Sequence, residues 1–442
     1  MNTTRRRFAR TAFASTVLVS SVGVSGAEAP SNRVRLVMMG VGGRGFAVMR
    51  HAADVPGVEI ATIVDVDEIA LRKAAEEIWR KTGKMPAMEK DIRRALESKD
   101  IDGVICCTPD HWHALAAAMA MRAGKAIYVE KPCSFCPAEG ERLVQIQRET
   151  GAVFQMGNQR RASEAYVEAV AALRKGIIGE PRWAKCWYMR RRKPIGRGRP
   201  VAPPATLDWE MWQGPAPRTA YLDNILPYNW HWFRRWGTGE AGNNSPHFLD
   251  VARWAMGLRF PSRVTCGGGR LFHVGDDWAW PDTMNASFEF PDRKLVTWEG
   301  NSAVSGCSYR NHSSGCMVYG LEGSMHFSAN NDVILFDQKG KEVRRWGKDK
   351  YADASQKISL TDPFVDLDMR HLGRFADCIR ARDTNTNSPA EEAHASTLLA
   401  HLANIAAITG ETVKLDSSTG RLAAGSPGAE LWSRDYEKGW TV

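Results

Sequence analysis

Gly40-Val41-Gly42-Gly43-Arg44-Gly45 sets three glycines at the G-x-G-x-x-G spacing that lets a backbone approach a diphosphate. The first permits a tight turn, the second a close approach to the pyrophosphate, and the third a helix packed hard against its strand. An apolar run, residues 34–39, leads into the motif. A second run, residues 59–64, ends at Asp65, 20 residues after Gly45. A carboxylate at that place accepts hydrogen bonds from an adenosine ribose 2′-hydroxyl, which favours NAD over NADP. Two further segments follow later apolar runs. They are Thr108-Pro109-Asp110-His111-Trp112-His113, and Gly124-Lys125-Ala126-Ile127-Tyr128-Val129-Glu130-Lys131-Pro132. Both fall at the carboxyl ends of expected strands, where open parallel sheets bind ligands.

The elements that must position these residues alternate from residue 34 to 156. Strands are expected at 34–39, 59–64, 103–107, 126–129 and 153–156, with helices at 67–81, 112–122 and 137–150. Such alternation predicts an α/β fold opening with a parallel, doubly covered sheet of Rossmann type over residues 30–157. The texture then changes. After a helix at 162–175, period-two patterns at 181–190, 263–272, 284–290, 295–299, 316–320, 324–327 and 333–336 predict half-buried strands. These suit a large open sheet, mainly antiparallel, in a second α/β domain spanning 158–442. Helices return at 366–382 and 390–409, and residues 191–205 read as a loop.

Taken in order, the glycine motif, Thr108–His113, and the A-G-K and E-K-P segments ending at Pro132 resemble the Gfo/Idh/MocA oxidoreductases. The resemblance continues through Gln155-Met156-Gly157-Asn158-Gln159-Arg160-Arg161, Leu207–Pro215 and Gly239–Asp250. It implies hydride exchange between NAD(P) and a sugar or cyclitol hydroxyl. It also implies a C-terminal sheet that often makes oligomer contacts, hence a homo-oligomer, dimer or tetramer. Lys131 would contact both nicotinamide ribose and the reacting hydroxyl, and His247 would act as acid or base. Cofactor contacts are expected from Gly40, Gly42, Gly43, Arg44, Gly45, Asp65, Thr108, Pro109, His111, Trp112, His113, Glu130 and Lys131. Substrate contacts are expected from Asn243, Asp250, Arg160, Trp230 and Trp232.

His247 has independent support. Ser245-Pro246 reads as an N-cap and first helical turn, and a helix N-terminus disfavours imidazolium. Asp250, three residues on, is placed to orient the ring. Asn243 departs from the family, much of which has aspartate four residues before this histidine. An amide holds a hydroxyl but carries no proton, which weakens the case for a simple cyclitol dehydrogenase. The run Tyr228-Asn229-Trp230-His231-Trp232-Phe233-Arg234-Arg235-Trp236 reads as a wall for stacking sugar rings. Sixteen tryptophans in 442 residues, eight of them between Trp183 and Trp254, point the same way. Residues 190–199, six of them basic, read as a solvated loop.

A leader is expected at residues 1–29: Arg5-Arg6-Arg7-Phe8, a modest apolar stretch, then Ala27-Glu28-Ala29. Its arginines mark the twin-arginine route, which exports folded proteins. An exported, periplasmic enzyme must fold around its dinucleotide first, so the cofactor is expected to be tightly held. The apolar stretch is short of the roughly 20 residues a membrane span needs. A hydrophobic fraction of 43% is ordinary for a globular protein. The charge of +9, with four arginines in the first ten residues, gives no argument for nucleic acid. The nine cysteines follow no disulfide framework, and the single C-x-x-C at Cys133–Cys136 lacks a second pair for zinc. No metal is expected. Three functions remain open: a sugar or glycoside oxidoreductase; a redox-neutral hydrolase or epimerase passing through a keto sugar; and a noncatalytic sugar-binding protein.

Overall fold

The computed structural model describes residues 32–305, 309–347 and 363–442. The expected leader lies outside the described residues. The N-terminal part runs β1 (Val34–Met39), α1 (Gly43–Ala52), β2 (Val58–Val64), α2 (Glu68–Thr82), β3 (Ala87–Glu89), α3 (Ile92–Leu96), β4 (Gly103–Cys106), α4 (Asp110–Arg122), β5 (Ala126–Val129), α5 (Pro137–Thr150) and β6 (Phe154–Met156). All six strands are parallel, in the order β3-β2-β1-β4-β5-β6. The order reverses between β1 and β4, which opens a crevice at their carboxyl ends. Local chemistry sets the boundaries. Asp67 caps α2 by accepting from the Ile69 N–H at 3.0 Å, and Gly83 ends it in the left-handed region. Strand β3 is exposed and only three residues long, too brief for a period to show in sequence.

The second part runs α6 (Glu164–Arg174), β7 (Pro181–Met189), α7 (Trp209–Gln213), α8 (Gly239–Asn244), α9 (Pro246–Met256), β8 (Arg263–Gly269), β9 (Thr283–Phe290), β10 (Lys294–Asn301), β11 (Ser314–Gly320), β12 (Gly323–Ser328), β13 (Val333–Asp337), β14 (Glu342–Trp346), α10 (Pro363–Ala381), α11 (Ala390–Thr409) and β15 (Val413–Lys414). Its nine strands form one sheet, antiparallel except where β7 lies parallel to β10. One face is buried under α6, α9 and α11 in a shared apolar core. The expected two-part α/β architecture is present.

The boundary near residue 157 is a boundary in sequence more than in space. Leu372, Phe375, Ala376 and Cys378 of α10 belong to the same core as β1, β2 and α2. Helix α11 is buried nearly all round, and its Ala390 and Ala393 enter the core beneath α4 and α5. Among the described residues no helix is long and apolar enough to cross a membrane. Nor does any group of three or more histidine, cysteine or acidic residues there form a metal-binding cluster.

Between β7 and α8, residues 190–238 form a strap across the crevice. Its own small core is Leu207, Trp212, Ala216, Tyr221, Ile225 and Trp236. Backbone bonds fasten it beside Asp65: the Glu68 N–H donates to the Thr206 carbonyl at 3.0 Å, and the Asp208 N–H to that of Val66 at 3.0 Å. On the other flank the His111 N–H donates to the Trp236 carbonyl at 3.2 Å.

Candidate active site

The crevice and strap enclose a cleft of about 810 Å³ running from Asp65 to His247. At its outer end the glycine loop is built as the spacing required. Gly40 has φ +79°, and a Cβ there would lie 2.8 Å from the Thr108 nitrogen. A Cβ on Gly45 would lie 1.9 Å from the Gly40 carbonyl oxygen, so α1 can sit against β1 only with glycine. Space beside Gly42 and Gly43 is open. Asp65 accepts from the Val41 N–H at 2.7 Å and the Asp67 N–H at 3.0 Å, and burial raises its pKa. Each carboxylate oxygen keeps a further lone pair for a ribose hydroxyl. The open glycine turn and this acceptor fit a dinucleotide.

Thr108, Pro109, Trp112 and His113 line the middle of the cleft. The Trp112 indole donates to the Trp212 carbonyl at 3.0 Å, so the strap and α4 share that wall. The His113 ring lies between the carbonyls of Pro132 and Thr108, at 2.6 and 2.8 Å. It braces the two strand ends against each other. Glu130 accepts from Arg44 at 3.1 Å and Gln159 at 3.3 Å, and the Arg44 fork makes two 2.6 Å bonds to Asp368 of α10.

At the inner end the Lys131 Nζ donates to Asn243 twice, to its backbone carbonyl at 2.6 Å and to Oδ1 at 3.1 Å. Burial lowers the lysine pKa, while the Glu130 and Asp110 carboxylates oppose that shift. His247 makes no hydrogen bond among the described residues. Burial, then the charges of Lys131, Arg160 and Arg44, holds its pKa well below 6.5. A neutral imidazole therefore sits at the floor of the cleft beside an amine. The expected cap does not form. Ser245 has helical dihedrals and a buried Oγ without a partner, and its N–H bonds Ala241 of α8. The C-terminal end of α8 abuts the start of α9, so the two helix ends offset each other. Burial and neighbouring cations keep His247 neutral instead.

Four expected site residues lie elsewhere. Asp250 is fully buried and grips Arg161 at 2.8 and 2.9 Å and the Ser396 hydroxyl at 2.6 Å, so it does not orient His247. The guanidinium that captures it comes from the turn before α6. His111 presents both ring nitrogens to strap carbonyls, Trp212 at 2.9 Å and Trp236 at 3.3 Å, and burial lowers its pKa to about 3. It anchors the strap. Trp232 is core, stacked on Trp278 at 3.8 Å. Arg160 lies over the Phe248 ring at 4.3 Å and donates to Tyr166 and Asn331, outside the cleft lining. Trp230 does line the cleft. The basic loop is not wholly solvated either, since Arg192 pairs with Glu240 and lies near the Tyr228 and Trp232 rings.

The cleft also holds Asp110, Gln159, Tyr228 and His231, which the sequence reading quoted within longer segments without individual roles. For His231 a signal existed: it is a polar interruption of the aromatic run that Tyr228 opens. Cys133 and Cys136 are buried free thiols with pKa values pushed up to about 11 and 12, unsuited to redox work.

Comparison with known proteins agrees with this geometry. Residues 34–158 match the NAD-binding Rossmann fold of an oxidoreductase family, and residues 205–415 match its C-terminal alpha/beta domain. The chain is 31% identical over 354 residues to the NAD(+) scyllo-inositol 2-dehydrogenase of Bacillus subtilis (strain 168), covering 79% of this chain and 87% of that protein. It is 31% identical over 151 residues to glycosyl hydrolase family 109 protein 1 of Shewanella sp. (strain ANA-3), a match spanning 33% of either protein. A solved levoglucosan dehydrogenase, in complex with NADH and levoglucosan, superposes with a TM-score of 0.66 at 19% identity, over 86% of this chain and 99% of that one. The two family matches and the relative covered over most of its length show the family: the chain belongs to the Gfo/Idh/MocA family of oxidoreductases.

Proposed function

We propose that the protein is an exported NAD-dependent oxidoreductase that acts on a sugar or glycoside hydroxyl and keeps its dinucleotide bound between turnovers. The observation that carries this is the Lys131 amine, held on Asn243 beside a neutral, unanchored His247 at the floor of a glycine-lined cleft. When bound, NAD supplies the hydride acceptor. Asp65 serves the adenosine ribose and favours NAD. Lys131 orients the reacting hydroxyl, and His247 takes its proton. Trp230 supplies an apolar face for the sugar ring.

The bound state is supported by the strap, whose backbone bonds fasten it beside Asp65 and at the start of α4. Export is supported by the arginine-rich leader, and a periplasmic setting makes exchange with a cytosolic cofactor pool impossible. A homo-oligomer built on the open sheet is supported by its far face, where Trp183 stacks on Tyr319 at 4.6 Å while 37% exposed.

A second reading, a redox-neutral hydrolase or epimerase, is favoured by Asn243 in place of a carboxylate. The partial likeness to a glycosyl hydrolase family 109 protein supports it as well. Denaturing the purified protein should release stoichiometric NAD(H). A glycoside substrate should then give one transient rise in reduced-nicotinamide absorbance, followed by turnover without free NADH. Steady NADH formation from added NAD would reject the retained cofactor.

A further inference from the structure

Residues 434–442 lie outside the cleft lining, and both their ends are fixed to the N-terminal part. At one end the Arg434 side chain, 9% exposed, meets the buried Glu139 carboxylate in the first turn of α5. Its Nε and Nη2 lie 2.7 and 2.6 Å from Oε1, and Nη2 also donates to the His111 carbonyl at 2.7 Å. The Tyr436 hydroxyl donates to the same carboxylate at 2.8 Å. At the other end Trp440 meets Trp112 of α4 edge-on, with ring centroids 5.2 Å apart, and the Arg93 guanidinium of α3 lies over its ring at 5.0 Å. Trp440 and Val442 pack against the core that α4 and α5 share.

Between those two ends Glu437 grips the strap. Its N–H donates to the Pro215 carbonyl at 3.0 Å, and its Oε2 accepts from the Arg218 N–H at 3.1 Å. Arg218 in turn donates to the Gly214 and Ala216 carbonyls at 2.7 and 2.8 Å, which closes the turn 214–218 on itself. That turn directly follows Met211 and Trp212, two strap residues that line the cleft. The contacts differ in how readily they break. Separating Arg434 from Glu139 strands a buried charge. The Glu437 bonds are only part-buried, so each is worth the modest net amount of an ordinary hydrogen bond.

We propose that residues 434–442 are a clasp across the strap, in which Glu437 and Trp440 are positioning residues that set how often the cleft opens and how fast the dinucleotide leaves; this rests on the retained-cofactor reading above. Arg434 and Glu139 form the fixed end and stay joined while the strap moves. Glu437 is the releasing contact, and Trp440 keeps the far end down so that Glu437 faces the turn. The strap lifts from the cleft when Glu437 lets go, and the fixed end holds the clasp in place to close again. The clasp acts on opening alone, because none of its residues lines the cleft with Lys131 and His247.

The test loads the purified protein with NADH, adds excess NAD, and reads release as the fall in bound-nicotinamide fluorescence. Trp440→Ala should speed release about tenfold or more, and Glu437→Ala about 3–10-fold. Trp440→Phe keeps an edge contact and Glu437→Gln keeps an acceptor oxygen, so both should stay close to the unaltered rate. Amide exchange in the same proteins should rise across residues 206–236 in the two alanine variants and stay unchanged in β1 and β10. Arg434→Ala is a poorer test, since it strands the Glu139 carboxylate and loosens α5 itself. Release at the unaltered rate in both alanine variants overturns the proposal. So does faster release with exchange raised equally in β1 and β10. If the unaltered protein binds no NADH, the oxidoreductase reading fails instead, and the exchange comparison alone decides whether the strap is clasped.

Discussion

The two walls of the cleft are built by different rules. The cofactor wall is made of short segments, each at the end of its own parallel strand, and much of its work falls to backbone. Gly45 packs on the Gly40 carbonyl, and the Val41 N–H of the same loop donates to the Asp65 carboxylate. The substrate wall is made of side chains from distant parts of the chain: Lys131 meets Asn243 across 112 residues, and Asn243 meets Tyr228 on the strap. A backbone cradle constrains spacing tightly and chemistry loosely. A wall of side chains does the opposite. The first wall therefore reports the cofactor, and the second must decide the reaction.

Replacing the groups at the inner end should give the largest effect. Lys131→Ala and His247→Ala should each lower turnover by roughly 10²–10⁴-fold while dinucleotide stays bound. Loss of the cofactor together with the rate would erase the division between the walls. The pH profile sharpens the same point. His247 is held well below 6.5 and Lys131 below 10.5, so activity should fall only in acid well under pH 6.5, and its alkaline limb should come earlier than an ordinary lysine gives.

Asp250 is next. It lies on the helix that carries His247 but belongs to neither wall, so Asp250→Ala should act on stability. Arg161 would keep only its 2.8 Å pair with Glu392, so the cost should come somewhat below the roughly 3–5 kcal/mol of breaking a buried pair outright, measurable by denaturant unfolding with dinucleotide present. A variant of normal stability and poor turnover would return Asp250 to the site. The smallest effect belongs to the cofactor wall. Asp65→Ala should weaken NAD by about 1.5–3 kcal/mol, the worth of a hydrogen bond to a charged group. It should weaken NADP less, as competition binding to apoprotein would show.

The same contrast explains what could be read from sequence. Glycine spacing, strand ends and the order of motifs are local, and they located the Rossmann part, its crevice and Lys131. Asp250 and His247 are three residues apart, and spacing alone joined them. Arg161, 89 residues before Asp250, separated them. The tryptophans of residues 183–254 were visible as a concentration, but their directions were not. Trp209, Trp212 and Trp236 fill the strap, Trp232 fills core, and Trp230 reaches the cleft. Ser245-Pro246 has the composition of a helix start, yet α8 arrives from the other side. Helices α10 and α11 were expected as helices, while their return to the N-terminal core depends on contacts that no periodicity encodes.

The strap also ties two equilibria together. Its apolar core is small and is covered partly by docking onto the β2 and α4 ends, so it is a unit able to open while the sheets stay intact. On the proposed reading the dinucleotide can leave only through such openings, and a ligand that binds the closed form alone deepens that form by mass action. Occupancy and local protection then become one quantity. Amide exchange and proteolytic nicking across residues 190–238 should slow as dinucleotide is added, with the cores of the two sheets as an unmoved reference.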